Sequence, residues 1–466
     1  MRRQMAAELA TLAHRLDRLA ELDWKTRDFT RNGLRDGLAE VIACFPVYRT
    51  YIAGGRVSAA DRAAIERAAV ARAAQTGRAD PAVLAFIRDV LLLRPGAALV
   101  ESRRPDLADF VLRFQQYTAA LMAKGIEDTA FYRHHRLAAL NEVGGDPGDF
   151  AADPGRVHRA LAERAHAWPH AMLATATHDA KRGEDVRRRA ARAVRARGRL
   201  ARGDGPLAPP QSAAPAQRRR PPRARGGRRV SSSTRPWSGP CRRRLERPDA
   251  DFAARMRDYL RKAAREAKRA TSWWQPDDAY ERALDAFVEG ALGDRGFLDA
   301  LAPLRARIAR LGALNALAQC LLKLTAPGVP DLYQGAEAWQ LALVDPDNRR
   351  AVDFDALAAG LDTVAEIERL GPGERRERIA ALVAGADRDG LAKQLLVRRA
   401  LAARRRAGAA LPRRRLRAAG GDRALRGPRV RLRPPPRRAA RGGRGPAPGR
   451  GAHRRRPATA RARCVG

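Results

Sequence analysis

Two arginine tracts divide this chain and limit what it can fold into. Residues 191–245 hold 16 arginines and one acidic residue, Asp204, while residues 404–466 hold 22 arginines and one acidic residue, Asp422. Of a formal net charge of +41 these tracts carry +36, so the rest of the 466-residue chain is only +5. In the second tract 53 of 63 positions are Arg, Ala, Gly or Pro, with no lysine and no aromatic residue. Such a segment lacks the apolar side chains that would offset the entropy of ordering it, and disorder is expected over 189–246 and 404–466. Arg, Ala, Gly and Pro are also the residues whose codons can consist of G and C alone, and both tracts start abruptly after well-patterned sequence. Two frameshifted stretches of a GC-rich gene read this way. An arginine-rich nucleic-acid-binding protein is the alternative. The charge, however, sits in separable tracts rather than on a folded face, with no repeat and no aromatic interleaving, so nucleic acid is disfavoured as a partner.

The remainder is patterned like a globular protein, and the chain is long enough for two or three domains with their own cores. The four cysteines, Cys44, Cys241, Cys320 and Cys464, form no C-x-x-C pair. That argues against a structural zinc site or a disulfide scaffold and points to a reducing compartment, the cytoplasm. No apolar run approaches the roughly 18 residues that span a bilayer, and MRRQMAAELATLAHRL reads as an ordinary helix rather than a leader. No membrane partner is expected.

Leu9, Leu12, Leu16 and Leu19 recur at helical spacing and predict an amphipathic helix to about Leu22 that needs a partner surface. A second helix is followed by EVIACFPVYRTYI (Glu40 to Ile52), whose β-branched and aromatic content predicts a buried strand or its exit. Ser58 and Asp61 form a capping-box start to an alanine-rich helix ending near Gly77. Helical patterns continue to about residue 140. Residues 157–175 lead from a helix through Trp168-Pro169 into a short apolar run that ends in polar groups, as a strand presenting side chains to a site would. A helix from Asp249 to about Ala270 carries Phe252, Met256, Tyr259 and Leu260 on one face. Helices alternating with short apolar strands, without hairpin signals, predict an α/β fold with parallel strands.

Three clusters carry candidate chemistry. In ATATHDAKRGED (174–185), His178, Asp179, Lys181, Arg182, Glu184 and Asp185 follow the apolar run directly. A strand-end His-Asp pair can hold a sugar hydroxyl or stabilise developing positive charge, with Lys and Arg keeping the carboxylate ionised; a capped helix start with surface charge is equally open. In MAKGIEDTAFYRHHRL (122–137), Lys124, Glu127, Asp128, Tyr132 and Arg133 share a short Gly-containing segment, which also reads as a helix start with Glu-Arg pairs. His134 and His135 are adjacent, point apart on a helix and lack a third ligand, so no metal is expected. The third cluster, PGVPDLYQGAEAWQLALVDPDNRRAVDF (327–354), is also a loop rich in turn chemistry.

Taken together, FPVYRTY (45–51), RFQQYTAALMAKGIEDTAFYRHHRLAALNEVGGDP (113–147), ATATHDAKRGEDVR (174–187), KAAREAKRATSWWQPDDAYE (262–281) and residues 327–354 closely resemble the maltooligosyltrehalose synthase family of the α-amylase superfamily, in family order. The resemblance covers about residues 1–188 and 247–403. It implies an α/β fold class, a partial (β/α)8 TIM barrel with large, mostly helical insertions. Residues 1–188 would end at the seventh-strand His-Asp motif, and 247–403 would complete the barrel with its eighth-strand region. Residues 404–466 stand where a C-terminal β-domain is implied. The implied activity is an isomerase reaction, an intramolecular transglucosylation that converts the reducing-end α-1,4 linkage of a maltodextrin to α,α-1,1, with no cofactor and no metal. A related superfamily hydrolase is an alternative, against which KGIEDTAFYR argues.

By that resemblance Asp179 is the third superfamily carboxylate, a catalytic residue that fixes sugar hydroxyls and supports an oxocarbenium-like transition state. His178 binds the sugar beside it, and Lys181 and Arg182 shape the site. Lys124, Glu127, Asp128 and Tyr132 line it through an insertion, and Tyr333, Gln334 and Glu337 stand near the rim. Two departures qualify this. Ala180 stands where the family implies Thr, and the motifs of the nucleophilic Asp and the acid/base Glu, expected on earlier strands, do not occur. A truncated, catalytically incomplete portion with an unclosed barrel edge is therefore expected.

Overall fold

A computed structural model of the chain describes residues 5–94, 103–149, 153–191 and 249–407. The arginine tracts, and with them the disorder and frameshift expected there, lie outside the described residues except at their first positions.

The N-terminal residues form a helical body. Helix α1 (Ala6–Ala20) buries Leu9, Leu12, Leu16 and Leu19, the stripe predicted from their spacing, against α2 (Arg31–Ala43) and α6 (Arg104–Met122). The Tyr117 hydroxyl donates to the Met5 carbonyl at 2.9 Å, and Arg15 pairs with Asp109, so α1 and α6 are joined at both ends of their contact. Between them lie α3 (Ala59–Ala63), a π-helical stretch at Ala64–Val70, α4 (Ala71–Gln75) and α5 (Pro81–Leu91). Ser58 and Asp61 form the predicted capping box in both directions. Gly37 lets α2 approach α5 closely, since a Cβ there would stand 2.7 Å from Val83 Cγ1.

The strand expected over Glu40 to Ile52 does not form. Helix α2 continues to Ala43, and the residues after it run extended along α6 without a ladder. Side chains meet the backbone demand that a neighbouring strand would otherwise meet. Gln115 accepts from the Ile52 N–H at 2.7 Å and donates to its carbonyl at 3.1 Å, and Asp61 accepts from the Tyr51 N–H at 3.0 Å. Phe45 packs edge-on against Phe114 in the same core.

Helix α6 runs on through a π-helical stretch, Ala123–Ala130, into the short α7 (Phe131–Arg133). After α8 (Pro154–Ala167) comes strand β1 (Met172–Leu173), and residues 184–191 are helical. From residue 249 on, α9 (Ala250–Ala267), α10 (Asp278–Gly293) and the 31-residue α11 (Arg295–Thr325) lead to strand β2 (Val329–Pro330). Phe252, Met256 and Tyr259 of α9 are buried with Val288, Phe297 and Leu343 in a second core, as their shared face predicted. Helices α12 (Phe354–Arg369), α13 (Pro372–Ala384) and α14 (Leu391–Ala407) close the described chain, with α14 packed on α11 and α12.

Strands β1 and β2 are parallel, with Met172 opposite Val329 and Leu173 opposite Pro330. Of the expected barrel, this pair is the extent of named strand among the described residues, which are otherwise mostly helical. The pair sits across close-packed backbone at Gly328, where φ is 117° and a Cβ would lie 2.6 Å from the Ala171 carbonyl. Helix α14 extends past residue 403 to Ala407, so the first arginines of the second tract belong to a folded helix.

Candidate functional site

Beyond β1 the chain makes a tight turn that presents His178 and Asp179. The Asp179 N–H donates to Thr177 Oγ1 at 3.2 Å and the Ala180 N–H to the Thr177 carbonyl at 3.1 Å. Both side chains point outward, 63% and 64% exposed, with His178 Nε2 3.2 Å from Asp179 Oδ2. Arg349 stands on the other side of the carboxylate at 3.8 Å. Underneath, the Asn348 carboxamide donates to the carbonyl of His178 at 2.9 Å.

Lys181 and Arg182 follow immediately and turn inward. The Lys181 ammonium lies 2.8 Å from Asp128 Oδ1, and Lys124 lies 2.7 Å from Asp128 Oδ2, so one carboxylate bridges two lysines. Burial raises the Asp128 pKa, but the two ammonium groups pull it down further, and its carboxyl titrates below the usual carboxylate range. The hydrogen bond to Asp128 raises Lys124 in turn. Asp128 occupies the π-helical stretch, whose wider turn sets the KGIEDTA side chains off the ordinary helical register. Glu127, on the same stretch, accepts instead from the Tyr48 hydroxyl, which burial and this carboxylate push up to about 12. Arg182 donates to the Tyr259 hydroxyl at 2.7 Å, beside the buried Tyr132. Glu142 accepts the backbone N–H groups of Lys181 and Arg182 at 2.8 and 3.3 Å and pairs with Arg187, which fixes the chain between turn and helix.

Below the turn lies a four-charge cluster with no solvent contact to speak of. Lys393 of α14 is fully buried, with its ammonium 2.8 Å from both Glu184 Oε1 and Asp185 Oδ2. Lys323 of α11 lies 3.0 Å from Glu184 Oε2 and 2.8 Å from Thr175 Oγ1. Burial alone would raise Glu184, but Lys393 and then Lys323 overcome it and hold its carboxyl at about 2. Asp185 is pushed up by burial, and the neighbouring Glu184 charge adds to that push against Lys393. Gly183 sits against β2's trailing loop, donating to the Ala342 carbonyl at 2.8 Å where any Cβ would meet the Gln340 carbonyl at 2.8 Å.

Residues of the third cluster join from the other side. Tyr333 donates to the Asn348 carbonyl at 3.0 Å, and Gln334 donates to the Arg350 carbonyl at 3.4 Å. Glu337 keeps one carboxylate oxygen buried and without a hydrogen-bond partner. Thus His178, Asp179, Tyr333 and Gln334 gather around the 347–350 turn, while Lys124, Asp128 and Lys181 form a separate ion-paired row. Glu127, directed to Tyr48, stands apart from both.

The fold has counterparts among solved structures. A solved maltooligosyltrehalose synthase from Arthrobacter ramosus superposes with a TM-score of 0.63 at 32% identity, covering 86% of this chain and 45% of that one. A mutant of the same enzyme gives a TM-score of 0.65 with the same identity and coverage. The chain is related to the maltooligosyltrehalose synthases. A Mycobacterium tuberculosis protein (strain CDC 1551 / Oshkosh), provisionally named a maltooligosyl trehalose synthase, is 38% identical over 265 residues, which are 56% of this chain and 32% of that protein. The chain therefore spans about a third of the length of the curated relatives it matches, and less than half of the solved synthases. No family model matches it.

Besides the residues to which the synthase resemblance gives a role, the structure brings Asn348, Arg349, Glu142, Lys323 and Lys393 to the turn and its foundation. Asn348 and Arg349 lie inside the quoted 327–354 motif, in DPDNRR, where turn chemistry masked them. Lys393 carried a usable signal, since it follows Leu391 and Ala392 and precedes Leu395 and Leu396 in a helix whose face must be buried.

Proposed function

We propose that this chain carries the sugar-binding strand-end portion of a maltooligosyltrehalose synthase, an intramolecular transferase of maltodextrins. The observation that supports this most is the His178–Asp179 turn at the carboxyl end of a parallel strand, set on a buried ionic foundation, in a chain similar to solved synthases over most of its length. In this reading β1 and β2 are the seventh and eighth strands of the (β/α)8 barrel of the superfamily. Moving a glucosyl group from one hydroxyl to another with retention passes through an oxocarbenium-like state, and a fixed carboxylate near the ring lowers its energy. Asp179 serves there, accepting hydroxyl hydrogen bonds in the ground state and opposing the positive charge as it develops. His178 contributes a second polar contact, and the Arg349 cation orients the carboxylate. Lys181, Asp128 and Lys124 form a polar row for the hydroxyls of the next glucose units, and Tyr333 and Gln334 border the opening.

The nucleophile and acid/base motifs do not occur in this sequence, so the expected behaviour is binding without turnover. Titration calorimetry with maltoheptaose tests it. Binding is expected, with no matching response to an α-1,6-linked dextran oligomer and no loss of reducing ends. D179N, which keeps the shape and removes the charge, is expected to bind about tenfold more weakly at unchanged melting temperature. A D179N variant that binds as tightly as the unaltered chain, or an unaltered chain blind to maltoheptaose, overturns the reading.

A further inference from the structure

We infer that Asn348 is the positioning residue of the His178–Asp179 turn, a donor-only latch that sets the direction of both side chains; this rests on the function proposed for that turn. The backbone around Asp179 aims three carbonyls, those of Thr177, His178 and Ala180, at one point. Asn348 Nδ2 occupies it, 2.9 Å from the His178 carbonyl and 3.4 Å from those of Thr177 and Ala180. Only a donor suits three acceptors, so the amide nitrogen and oxygen cannot be exchanged here. The side chain is buried, and its Oδ1 has no hydrogen-bond partner. A buried unpaired acceptor is costly, and the arrangement persists because the neighbourhood asks for the donor.

The latch is itself held from three directions. Tyr333 donates to the Asn348 carbonyl at 3.0 Å from the loop after β2. The preceding Asp347 is gripped by Arg255 of α9 at 2.6 and 2.8 Å and accepts from the Leu343 N–H at 2.7 Å. The following Arg349 reaches Asp179 on the solvent side. One short turn thus supports Asp179 from below through Asn348 and from outside through Arg349. The Asn348 side chain meets the turn through backbone carbonyls, so its effect passes through the backbone of residues 177–180.

Hydrogen–deuterium exchange of the full chain tests the latch without any ligand. N348D keeps the size and replaces the donor by an acceptor. The amides of Asp179 and Ala180 are expected to exchange about tenfold faster, while those of α1 are unchanged. Maltoheptaose binding should weaken in parallel, and acidification should recover it. The introduced carboxyl would be raised by burial among carbonyls, and once protonated it donates again. The charged and titratable groups around it are Asp347 and Arg349 in its own turn, Arg255 of α9 on Asp347, Tyr333 after β2, and His178 and Asp179 on the turn it holds; the unaltered chain, titrated alongside, accounts for their own response. Y333F, which removes only one anchor of the latch, serves if N348D fails to fold, and should speed exchange in the same segment. Unchanged exchange at 177–180 in a folded variant overturns the proposal. An unaltered chain that fails to bind maltoheptaose refutes the functional reading instead, and the exchange result still decides the latch.

Discussion

Replacing Lys393 with methionine removes one positive charge from a place where water cannot take over. The Lys393 ammonium is the one cation shared by Glu184 and Asp185, at 2.8 Å from each, and all three residues are at most 1% exposed. In K393M, Lys323 still faces Glu184, but among the described residues Asp185 is left with the Gln340 N–H at 2.9 Å. Two routes give the size of the loss. Removing one partner of a buried ion pair typically costs about 3–5 kcal/mol. Independently, a Glu184 carboxyl held at about 2 rather than at 4.5 contributes roughly 3 kcal/mol at neutral pH, with Lys393 the first of the groups that lower it. The expected loss is therefore about 3–4 kcal/mol at pH 7, a fall in melting temperature on the order of 10 °C. The sign with pH follows from the same carboxyl. Because its folded-state pKa is depressed, its stabilisation is complete above about pH 4.5 and disappears as pH falls towards 2. The unaltered chain loses this contribution on acidification and K393M has little of it to lose, so the gap between them should narrow below pH 4.5. Urea unfolding of both proteins at pH 7 and pH 3.5 measures it. A loss under about 1 kcal/mol at pH 7, or a gap of equal size at both pH values, refutes the account of the cluster.

Arg404 spans the carbonyls of Leu324, Ala326 and Gly328 at 2.9, 3.1 and 2.5 Å, closing the C-terminal end of α11. R404A should cost about 1–2 kcal/mol in a urea titration, and a neutral result would mean that water replaces the guanidinium there. G328A places a Cβ 2.6 Å from the Ala171 carbonyl at a φ of 117°, so a loss above about 2 kcal/mol is expected. Melting of G328A within a degree of the unaltered chain would show that the β1–β2 contact can spread without cost.

Local signals in the sequence were sufficient where local physics decides. The leucine stripe of α1, the Ser58–Asp61 box and the apolar face of α9 each need only a few neighbouring residues, and each appears as expected. The strand predicted over Glu40 to Ile52 does not form: its first residues continue α2 to Ala43, and at its end Asp61 and the distant Gln115, 63 positions away, take backbone groups of Tyr51 and Ile52. The ionic cluster was half legible. Glu184 and Asp185 stood out beside the His-Asp pair, but their partners lie 139 and 209 residues away, in helices where a lysine ordinarily faces water. The Lys181–Asp128 contact joins two motifs that the synthase resemblance quoted separately, and only the folded chain shows that they meet. His178 and Asp179 stand out in the sequence by their position after an apolar run and by the synthase resemblance, whereas the asparagine beneath them has no pattern of its own.

The parallel pairing of Leu173 with Pro330 closes a long loop that contains the whole of the first arginine tract. Closure entropy grows only with the logarithm of loop length, so removing residues 192–248 would change it by about 0.4 kcal/mol. By this closure term alone, the pairing of the two halves is nearly indifferent to how many residues are spliced in there. An insertion or deletion of whole codons, or a pair of frame changes that cancel before residue 249, leaves it almost untaxed, and selection on loop closure alone has little means of removing it.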